Sequence, residues 1–351
     1  MNFSHHTPLR LGILCCANIA KQFARDAASS SRVSIQAVAS RDLGKAQHFA
    51  HTYGIARAHG SYEALLTDPA LDAIYIPLPN SMHAEWAIRA MQAGKHVLCE
   101  KPLALSLAEV TRMFEVARTQ GVMLLESYPY WFQPQTRDFL ACISPDRIGE
   151  VRSIQASFGF TLGNPDDNIR MKPELGGGAM LDAGSYPLSL IRLVMGCAPE
   201  RVLAHANWTR TGVDISMMAT LFYADGRRAQ MSCAMDTANH RRATIVGSHG
   251  TVETEYLNHT SDSHTHPWGY LPSQLRVRQG IANSVAFEEV MSATGSGFRF
   301  AAEAFAQVVQ QGDTAAIDRA AVASHDIAAT LDAIQVSAKS GQSEAVRQSA
   351  K

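Results

Sequence analysis

What this sequence lacks excludes several classes of protein. The formal net charge of the 351 residues is −1, so no strong field of either sign is available to hold nucleic acid or an anionic membrane. The six cysteines show no C-x-x-C spacing, which excludes a paired-cysteine metal or redox motif. No stretch approaches the roughly 18 uninterrupted apolar residues that a membrane span needs. With so little net charge, we expect small neutral ligands. The sequence also has no G-x-S-x-G elbow and no Walker loop.

The cysteines and the start of the chain bear on location. Several cysteines lie inside apolar runs, as small buried residues do, so we expect a reducing compartment. The stretch "RLGILCC" has the arginine, apolar run and cysteine of a lipoprotein signal, but the run is far shorter than a secretory core. We therefore predict a strand and a cytoplasmic protein. In "HTHPW", His264 and His266 have no acidic or cysteine partner at ligand spacing, which favours a polar loop and no metal site.

The first third of the chain has the pattern of an α/β domain. From Leu9 to Leu125, short β-branched runs alternate with amphipathic stretches of about ten to fifteen residues. This alternation predicts a doubly wound parallel sheet with helices on both faces. The spacing predicts helices over 18–29, 43–53, 82–93 and 106–120.

The pattern of apolar residues and turns changes after about Glu126. Glycine turns now separate long alternating stretches, which predicts an antiparallel sheet with a hairpin at Asp225-Gly226. Helical patterns lie around 179–196, 298–312 and 320–340. We predict a dinucleotide-binding Rossmann domain over residues 1–126 and a substrate-binding and oligomerisation α+β domain over 127–351, with about 12 loose residues at the end.

The turn after the first strand departs from the usual phosphate-binding pattern. Dinucleotide folds place glycine or alanine at three positions that are here Cys15, Ala17 and Ala20. Ala17 adds one methyl group, which a slightly displaced phosphate tolerates if φ stays negative, whereas Cys15 is the larger departure. The helix that follows offers the N–H groups of Asn18 and Ile19 to an anion. The alternative is an ordinary strand and helix of a parallel sheet.

The second strand ends in "AVASRD". A domain that prefers NAD places an acidic residue at this tip, whereas a small polar residue followed by arginine suits a 2′-phosphate. Ser40 and Arg41 therefore favour NADP, and Lys45 adds positive charge one turn later. The alternative is a solvated arginine and an exposed helical lysine.

Two later strands end in polar, proline-containing loops, "PLPNSMH" and "EKPL". Open α/β sheets bind their ligands at this carboxyl edge. Lys101 lies between Glu100 and Pro102, and a proline there can hold a cis peptide that directs the lysine into the crevice. An ammonium at this place suits proton exchange with an alcohol. The alternative is a surface lysine in an ordinary turn.

The segment "PELGGGAMLDAGSYPLSL" carries the second set of candidate residues. Gly176, Gly177 and Gly178 allow a backbone geometry close to cofactor or substrate. Asp182 and Tyr186 are four residues apart, so both face the same side of a helix. A tyrosine hydroxyl exchanges a proton when a lysine or a cofactor cation stabilises the phenolate. The alternative is a buried tyrosine bonded to a carboxylate.

Taken in order and at these separations, the first strand, "PLPNSMH", "EKP" and "GGGAMLDAGSYP" resemble the Gfo/Idh/MocA oxidoreductases over nearly the whole chain. The likeness is greatest to the branch of dimeric dihydrodiol dehydrogenases, NADP-dependent xylose dehydrogenases and glucose–fructose oxidoreductases, whose tyrosine falls on Tyr186. The resemblance implies a Rossmann domain and a second domain with an open-faced, mostly antiparallel sheet, helices on one side, often used for dimerisation. It also implies hydride transfer between NADP and a sugar or related cyclic alcohol.

The resemblance implies roles for individual residues. Lys101 becomes the catalytic lysine that contacts the nicotinamide ribose and the substrate, Tyr186 the proton donor or acceptor, and Asp182 a substrate-site acid. The expected cofactor contacts are Gly12, Cys15, Ala17, Asn18, Ile19, Ser40, Arg41, Lys45, Leu78, Pro79, Asn80, His83, Glu100, Lys101 and Trp131.

Two departures from the family leave other functions open. Besides the Cys15 and Ala17 turn, Trp131 stands where this branch generally has arginine, and an aromatic platform favours stacking on a sugar face over bidentate hydrogen bonds. One alternative function is a non-catalytic sensor of nucleotide and sugar with the same fold. Another is an enzyme that retains its NADP and exchanges hydride between two sugars.

Overall fold

The structure, a computed structural model, describes residues 7–261, 272–313 and 315–348. The helices are α1 (Asn18–Ala27), α2 (Leu43–Tyr53), α3 (Tyr62–Leu66), α4 (His83–Gln92), α5 (Leu107–Gln120), α6 (Pro134–Cys142), α7 (Pro145–Ile148), α8 (Ser185–Met195), α9 (Gly297–Gln311) and α10 (Ala315–Ser340). In the described ranges, none of these helices is long and apolar enough to cross a membrane.

The strands form two large sheets and a small one in which His259–Thr260 pairs with Gly295–Ser296. They are β1 (Leu9–Leu14), β2 (Val33–Ala39), β3 (Arg57–His59), β4 (Ala73–Ile76), β5 (His96–Glu100), β6 (Leu124–Ser127), β7 (Val151–Thr161), β8 (Arg201–Trp208), β9 (Asp214–Phe222), β10 (Arg228–Ala234), β11 (Asp236–Gly247), β12 (Gly250–Thr254), β13 (His259–Thr260), β14 (Leu275–Gln279), β15 (Glu288–Glu289), β16 (Gly295–Ser296) and β17 (Glu344–Ala345).

The chain divides into two compact units. The first comprises the residues up to Ala104, Ala108–Pro129 and Ser296–Val322, and the second comprises Leu105–Leu107, Tyr130–Gly295 and the residues from Ala323 onwards. The sequence placed one division after residue 126. In the structure α9 and the start of α10 belong with the first unit, and α9 packs against α1, β2 and β5.

The first unit is built on a six-stranded sheet in the order β3-β2-β1-β4-β5-β6, with every pair parallel. This confirms the predicted doubly wound sheet. The order reverses between β1 and β4, and in such sheets the crevice at this reversal, beyond the carboxyl ends of the strands, takes the ligand. The whole of β4 is buried, which explains its uninterrupted apolar run.

Gly12, in β1, lies within this core. A Cβ at this position would come within 2.7 Å of Leu71 Cδ1 and 3.2 Å of Ile74 Cδ1. The sequence assigned Gly12 to cofactor contact. The missing side chain lets the strand approach these two apolar side chains, and the cofactor contact stays a prediction.

The second unit is built on a nine-stranded sheet in the order β15-β14-β12-β11-β7-β10-β9-β8-β17. Only β7 and β10 pair in parallel among these described strands, so the sheet is mostly antiparallel, as expected. The predicted hairpin is confirmed: β9 and β10 pair directly, Gly226 has φ +83°, and the Asp225 carboxylate accepts a hydrogen bond from the Arg227 N–H. Helix α8 packs against β7 and β10.

The sequence predicted a loose end of the chain, but part of this segment is structured. Glu344 and Ala345 form β17, which pairs antiparallel with Val202 and Arg201 of β8. Val346 is buried next to this edge strand. The prediction was wrong for these residues because a two-residue strand carries no periodic signal, and its pairing depends on a strand more than 140 residues away.

Candidate active site

The turn from β1 to α1 accommodates its cysteine through an unusual backbone. Cys15 has φ +135°, in the region that favours glycine, which costs of the order of 1–3 kcal/mol. Its buried thiol donates to the carbonyl oxygen of Pro77, 3.2 Å away, at the end of β4. Burial raises the pKa of this thiol to about 12, so the thiol stays protonated and donates.

Ala17 keeps the turn open to an anion. Its φ is −65°, as the sequence analysis required, and it precedes α1 without a side-chain cap. The first N–H groups of the helix, those of Asn18 and Ile19, therefore remain the anion-binding end of an uncapped helix. The Cys15 thiol contacts the end of β4 through the Pro77 carbonyl.

The tip of β2 presents cationic side chains. Arg41 and Lys45 are exposed, and Ser40 is half-buried beside them. The one acid in this stretch, Asp42, is the N-cap of α2, because its carboxylate accepts from the Lys45 N–H at 3.1 Å. An acid used in this way does not hold ribose hydroxyls, so the tip keeps the character that suits a 2′-phosphate.

A cavity of about 590 Å³ lies beside this tip and was not predicted. Cys16 and Lys21 from the start of α1 and Lys45 and His48 from α2 contribute to its lining. The cavity continues the cationic surface of the β2 tip within the first unit. No sequence signal indicated it, because its walls come from two helices whose relative placement follows only from the packing on the sheet.

The loops after β4 and β5 carry the third group of candidates. The peptide between Lys101 and Pro102 is cis, as the sequence analysis allowed. Asn80, Pro79 and Lys101 are half-buried. Leu78 and Glu100 are buried. The Tyr75 hydroxyl donates to the Glu100 carboxylate at 2.7 Å. The sequence gives Tyr75 the pattern of a core residue, so its hydrogen bond to Glu100, next to Lys101, was not predicted.

His83 lies between the two loops. It is fully buried, and its two ring nitrogens each lie 2.8 Å from a carbonyl oxygen, Nδ1 from that of Pro102 and Nε2 from that of Leu78. Burial lowers the pKa of His83, against the effect of these two carbonyls. The imidazole therefore positions the two loops, and its contact with the cofactor stays a prediction.

A second buried carboxylate supports the same loop. Glu126, at the end of β6, is 2 % exposed, and its carboxylate accepts from the Leu103 N–H at 2.9 Å. Sequence reasoning missed this residue, although a glutamate at the end of the apolar run "VMLLES" was an available signal. Glu100 and Glu126 therefore hold the turn around Lys101 from two neighbouring strands.

In the second unit, Asp182 and Tyr186 lie where a π-helical turn, Met180–Gly184, passes into α8. Asp182 forms an ion pair with Arg170, Nε to Oδ2 at 2.6 Å. Burial lowers the pKa of Arg170, but the charge of Asp182 and that of Tyr186 raise it, and the net shift is upward. That Asp182 and Tyr186 face the same side of a helix stays a prediction from their spacing.

The Tyr186 hydroxyl is part of a polar and aromatic cluster of the second unit. Its oxygen accepts from Asn258 Nδ2 at 2.9 Å, and the Arg241 guanidinium lies 4.3 Å from its ring centroid. Trp131 donates from Nε1 to the Tyr130 hydroxyl at 2.7 Å, and the rings of Tyr130 and Tyr186 are 6.1 Å apart. Trp131 therefore belongs to this cluster.

The triple glycine has a structural reason within the second unit. A Cβ at Gly177 would come within 2.5 Å of the Arg170 carbonyl oxygen, and one at Gly178, where φ is +112°, within 2.2 Å of Asp214 Oδ1. Asp214 is buried and accepts from the Met180 N–H at 2.6 Å. The glycines let the backbone close against Arg170, which in turn reaches Asp182.

The two histidines of "HTHPW", His264 and His266, lie outside the described residues. Within the parts of the chain that the structure describes, no group of three or more histidine, cysteine, aspartate or glutamate side chains is placed to hold a metal ion.

A parallel sheet in the order 3-2-1-4-5-6 with a cationic β2 tip, followed by a mostly antiparallel sheet that carries a tyrosine and an acid, defines an oxidoreductase of the nicotinamide-dependent class. The chain matches the model described as an oxidoreductase family with an NAD-binding Rossmann fold over residues 9–128. It also matches the GFO/IDH/MocA C-terminal domain over residues 137–253. The chain belongs to the Gfo/Idh/MocA oxidoreductase family.

Known relatives agree with this assignment. The D-xylose 1-dehydrogenase (NADP(+)) 2 of Haloferax volcanii is 35% identical, with 95% of this chain and 98% of the relative covered. The trans-1,2-dihydrobenzene-1,2-diol dehydrogenase of Danio rerio is 36% identical, with 70% and 74% covered. The crystal structure of the 3-ketoreductase KijD10 from Actinomadura kijaniata with NADP and TDP-benzene has a TM-score of 0.83 and 31% identity, with 94% and 98% covered.

The packing of the triple glycine makes a testable prediction. Gly178→Ala should lower the free energy of unfolding by about 2 kcal/mol or more, because the methyl group meets the Asp214 carboxylate in a backbone conformation that favours glycine. Urea unfolding followed by circular dichroism measures the change. Gly163→Ala is the control, because nothing lies within 4 Å of a Cβ there. Equal stabilities for the two variants would contradict this role of the glycine.

Proposed function

We propose that the chain is an NADP(H)-dependent oxidoreductase that transfers hydride to or from an alcohol or carbonyl carbon of a sugar or related cyclic alcohol. The observation that carries the cofactor choice is the β2 tip, where Arg41 and Lys45 are exposed while Asp42 caps α2. The sugar follows from the relatives, which include a D-xylose dehydrogenase named for NADP and a dihydrobenzenediol dehydrogenase.

The residues present fit a bound NADP. The start of α1 after Ala17 would hold the pyrophosphate, because no side chain caps it. Ser40, Arg41 and Lys45 would hold the 2′-phosphate. The nicotinamide half would meet the loops that carry Asn80, Glu100 and Lys101. When bound, the cofactor supplies the hydride acceptor or donor.

We assign the hydroxyl proton to Lys101 and Tyr186. On oxidation, Tyr186 acts as the phenolate, which the Lys101 ammonium and the Asn258 N–H stabilise, and it takes the proton of the substrate hydroxyl as hydride leaves the carbon for the bound cofactor. On reduction the same groups return the proton. Asp182 acts by holding Arg170 beside Tyr186, because its carboxylate is engaged in that ion pair.

We also propose a homodimer that forms through the open face of the nine-stranded sheet. Met218 is 68% exposed and Leu203 44% exposed on this face, where they line a broad hollow of about 710 Å³. Apolar side chains grouped in this way typically mark an interface between proteins.

We place the protein in a reducing compartment, the cytoplasm, because all six cysteines are free thiols.

Turnover tests the catalytic pair. Lys101→Met and Tyr186→Phe should each lower kcat by about 10²–10⁴-fold with aldoses and NADP⁺, because each removes a group that handles the proton. The dissociation constant of NADP⁺, measured by fluorescence quenching, should change less than about threefold in Tyr186→Phe. Lys339→Met, at the end of α10, is the control. Full activity of both variants would refute the assignment, and a parent protein that binds NADP⁺ but converts no sugar would indicate a sensor.

Cofactor selection tests the β2 tip. Arg41→Gln should raise the dissociation constant of NADP⁺ about tenfold or more and leave that of NAD⁺ unchanged, because only NADP⁺ carries the 2′-phosphate. Arg32→Gln is the matched control, since it is exposed at the opposite end of β2. Calorimetry measures both constants. An equal loss of affinity for the two cofactors would contradict the assigned contact.

The mass in solution tests the dimer. Light scattering at micromolar concentration should give twice the 38.1 kDa of the chain for the parent and a single chain for Met218→Lys, because a charge on the apolar face opposes its burial. Ile281→Lys, at a position that is 84% exposed away from the sheet strands, should leave the dimer intact. A parent of 38.1 kDa would refute the proposal.

A further inference from the structure

Arg241 occupies a particular position on β11. It pairs with Phe158 of β7 across the sheet, and its guanidinium carbon lies 3.9 Å from the centroid of the Phe158 ring. The same carbon lies 4.3 Å from the centroid of the Tyr186 ring and 6.0 Å from that of Tyr256. A cation on three aromatic faces is held by their quadrupoles and is partly removed from water.

Strand alternation separates Arg241 from its neighbour. Arg242 is exposed and lines the open face of the sheet, where it forms an ion pair with Glu255 at 3.5 Å. Arg241, one residue earlier, points to the opposite face, toward α8 and Tyr186. The two arginines therefore serve different surfaces, although they are adjacent in the sequence.

The guanidinium of Arg241 has N–H donors that no acceptor among the described residues engages. Among the described residues it makes no ion pair and no hydrogen bond, and its covered Nε has no partner. The acid that lies nearest to Tyr186 in the sequence, Asp182, is already engaged by Arg170. This half-buried guanidinium stacks on rings and meets no carboxylate. The rings neutralise no charge and accept no in-plane hydrogen bond, so the charge and the in-plane N–H donors could still bind an anion.

Further aromatic side chains surround these rings. Trp131 donates from Nε1 to the Tyr130 hydroxyl. The Tyr130 ring lies 6.1 Å from the Tyr186 ring and 5.3 Å from the Tyr256 ring, which are two of the rings that Arg241 contacts. Arg241 therefore carries the positive charge of a largely aromatic cluster.

We infer that Arg241 anchors an oxyanion of the substrate beside Tyr186, so that the enzyme acts on a sugar that carries a carboxylate or a phosphate group. The planar fork of a guanidinium binds either group through two parallel hydrogen bonds. This inference rests on the proposed function and names the substrate class for it. Arg241 is then a specificity-determining residue, and the proton chemistry stays with Tyr186 and Lys101.

A comparison of matched substrates tests this inference. With NADP⁺, kcat/KM is measured for D-galacturonate against D-galactose and for D-glucose 6-phosphate against D-glucose. We expect at least one anionic sugar to exceed its neutral counterpart by about tenfold or more. Arg241→Gln should remove this preference, with a loss of about 10–100-fold on the anionic sugar and less than about threefold on the neutral one. Arg241→Lys should restore part of the preference, because it keeps the charge but not the fork.

Arg242→Gln is the matched control and should keep the preference. A carboxylate preference and a phosphate preference identify the two sources of the oxyanion. If the neutral sugars are the better substrates, or if Arg241→Gln slows both members of a pair equally, the inference is wrong while the proposed function stands. If no sugar is turned over, the proposed function fails, and calorimetry still decides on Arg241: galacturonate or glucose 6-phosphate should bind the parent and not Arg241→Gln, and equal binding would overturn the inference.

Discussion

The bridge that His83 makes between two loops is the contact on which the carboxyl edge of the first sheet depends. Its imidazole lies between the carbonyl oxygens of Leu78 and Pro102, which follow β4 and β5. Burial lowers the pKa of His83, so the neutral ring donates its one N–H to one of these oxygens and its other nitrogen lies against the second. Because Lys101 is bonded directly to Pro102, this bridge fixes the backbone from which the lysine extends.

Two carboxylates complete the same support. Glu100 accepts from Tyr75, and Glu126 accepts from the backbone next to Pro102. Both are buried, where an unpaired charge is costly, so these bonds stabilise the acids and the turn together. The backbone on either side of Lys101 is therefore held by four core side chains of the first unit, those of His83, Glu100, Glu126 and Tyr75.

The fold could be predicted in most respects because its main signals are local. The apolar runs of β1 and β4 and the Asp225-Gly226 turn each fix their own element, and the predicted starts of α1 and α2 coincide with Asn18 and Leu43. The return of Ser296–Val322 to the first unit and the pairing of β17 were not predictable, because both depend on contacts between residues far apart in the chain.

The candidate site divides in the same way. Motifs of adjacent residues identified Arg41, Lys101 and Tyr186 as candidates, whereas partners from other elements could not be found. Asn258 reaches Tyr186 from 72 residues away, and Arg241 is one of two adjacent arginines that only the strand register distinguishes. The triple glycine has a packing reason that the sequence did not indicate, since Gly177 and Gly178 lie close to Arg170 and Asp214, and its approach to a ligand stays a prediction.

A crystal structure of the protein with NADP⁺ tests the central claim most directly. The account predicts the pyrophosphate at the start of α1, the 2′-phosphate bonded to Arg41 and Lys45, and the Lys101 ammonium beside the nicotinamide ribose. A pyrophosphate displaced from the helix by the Cys15 turn, or a 2′-phosphate directed away from Arg41, would contradict it.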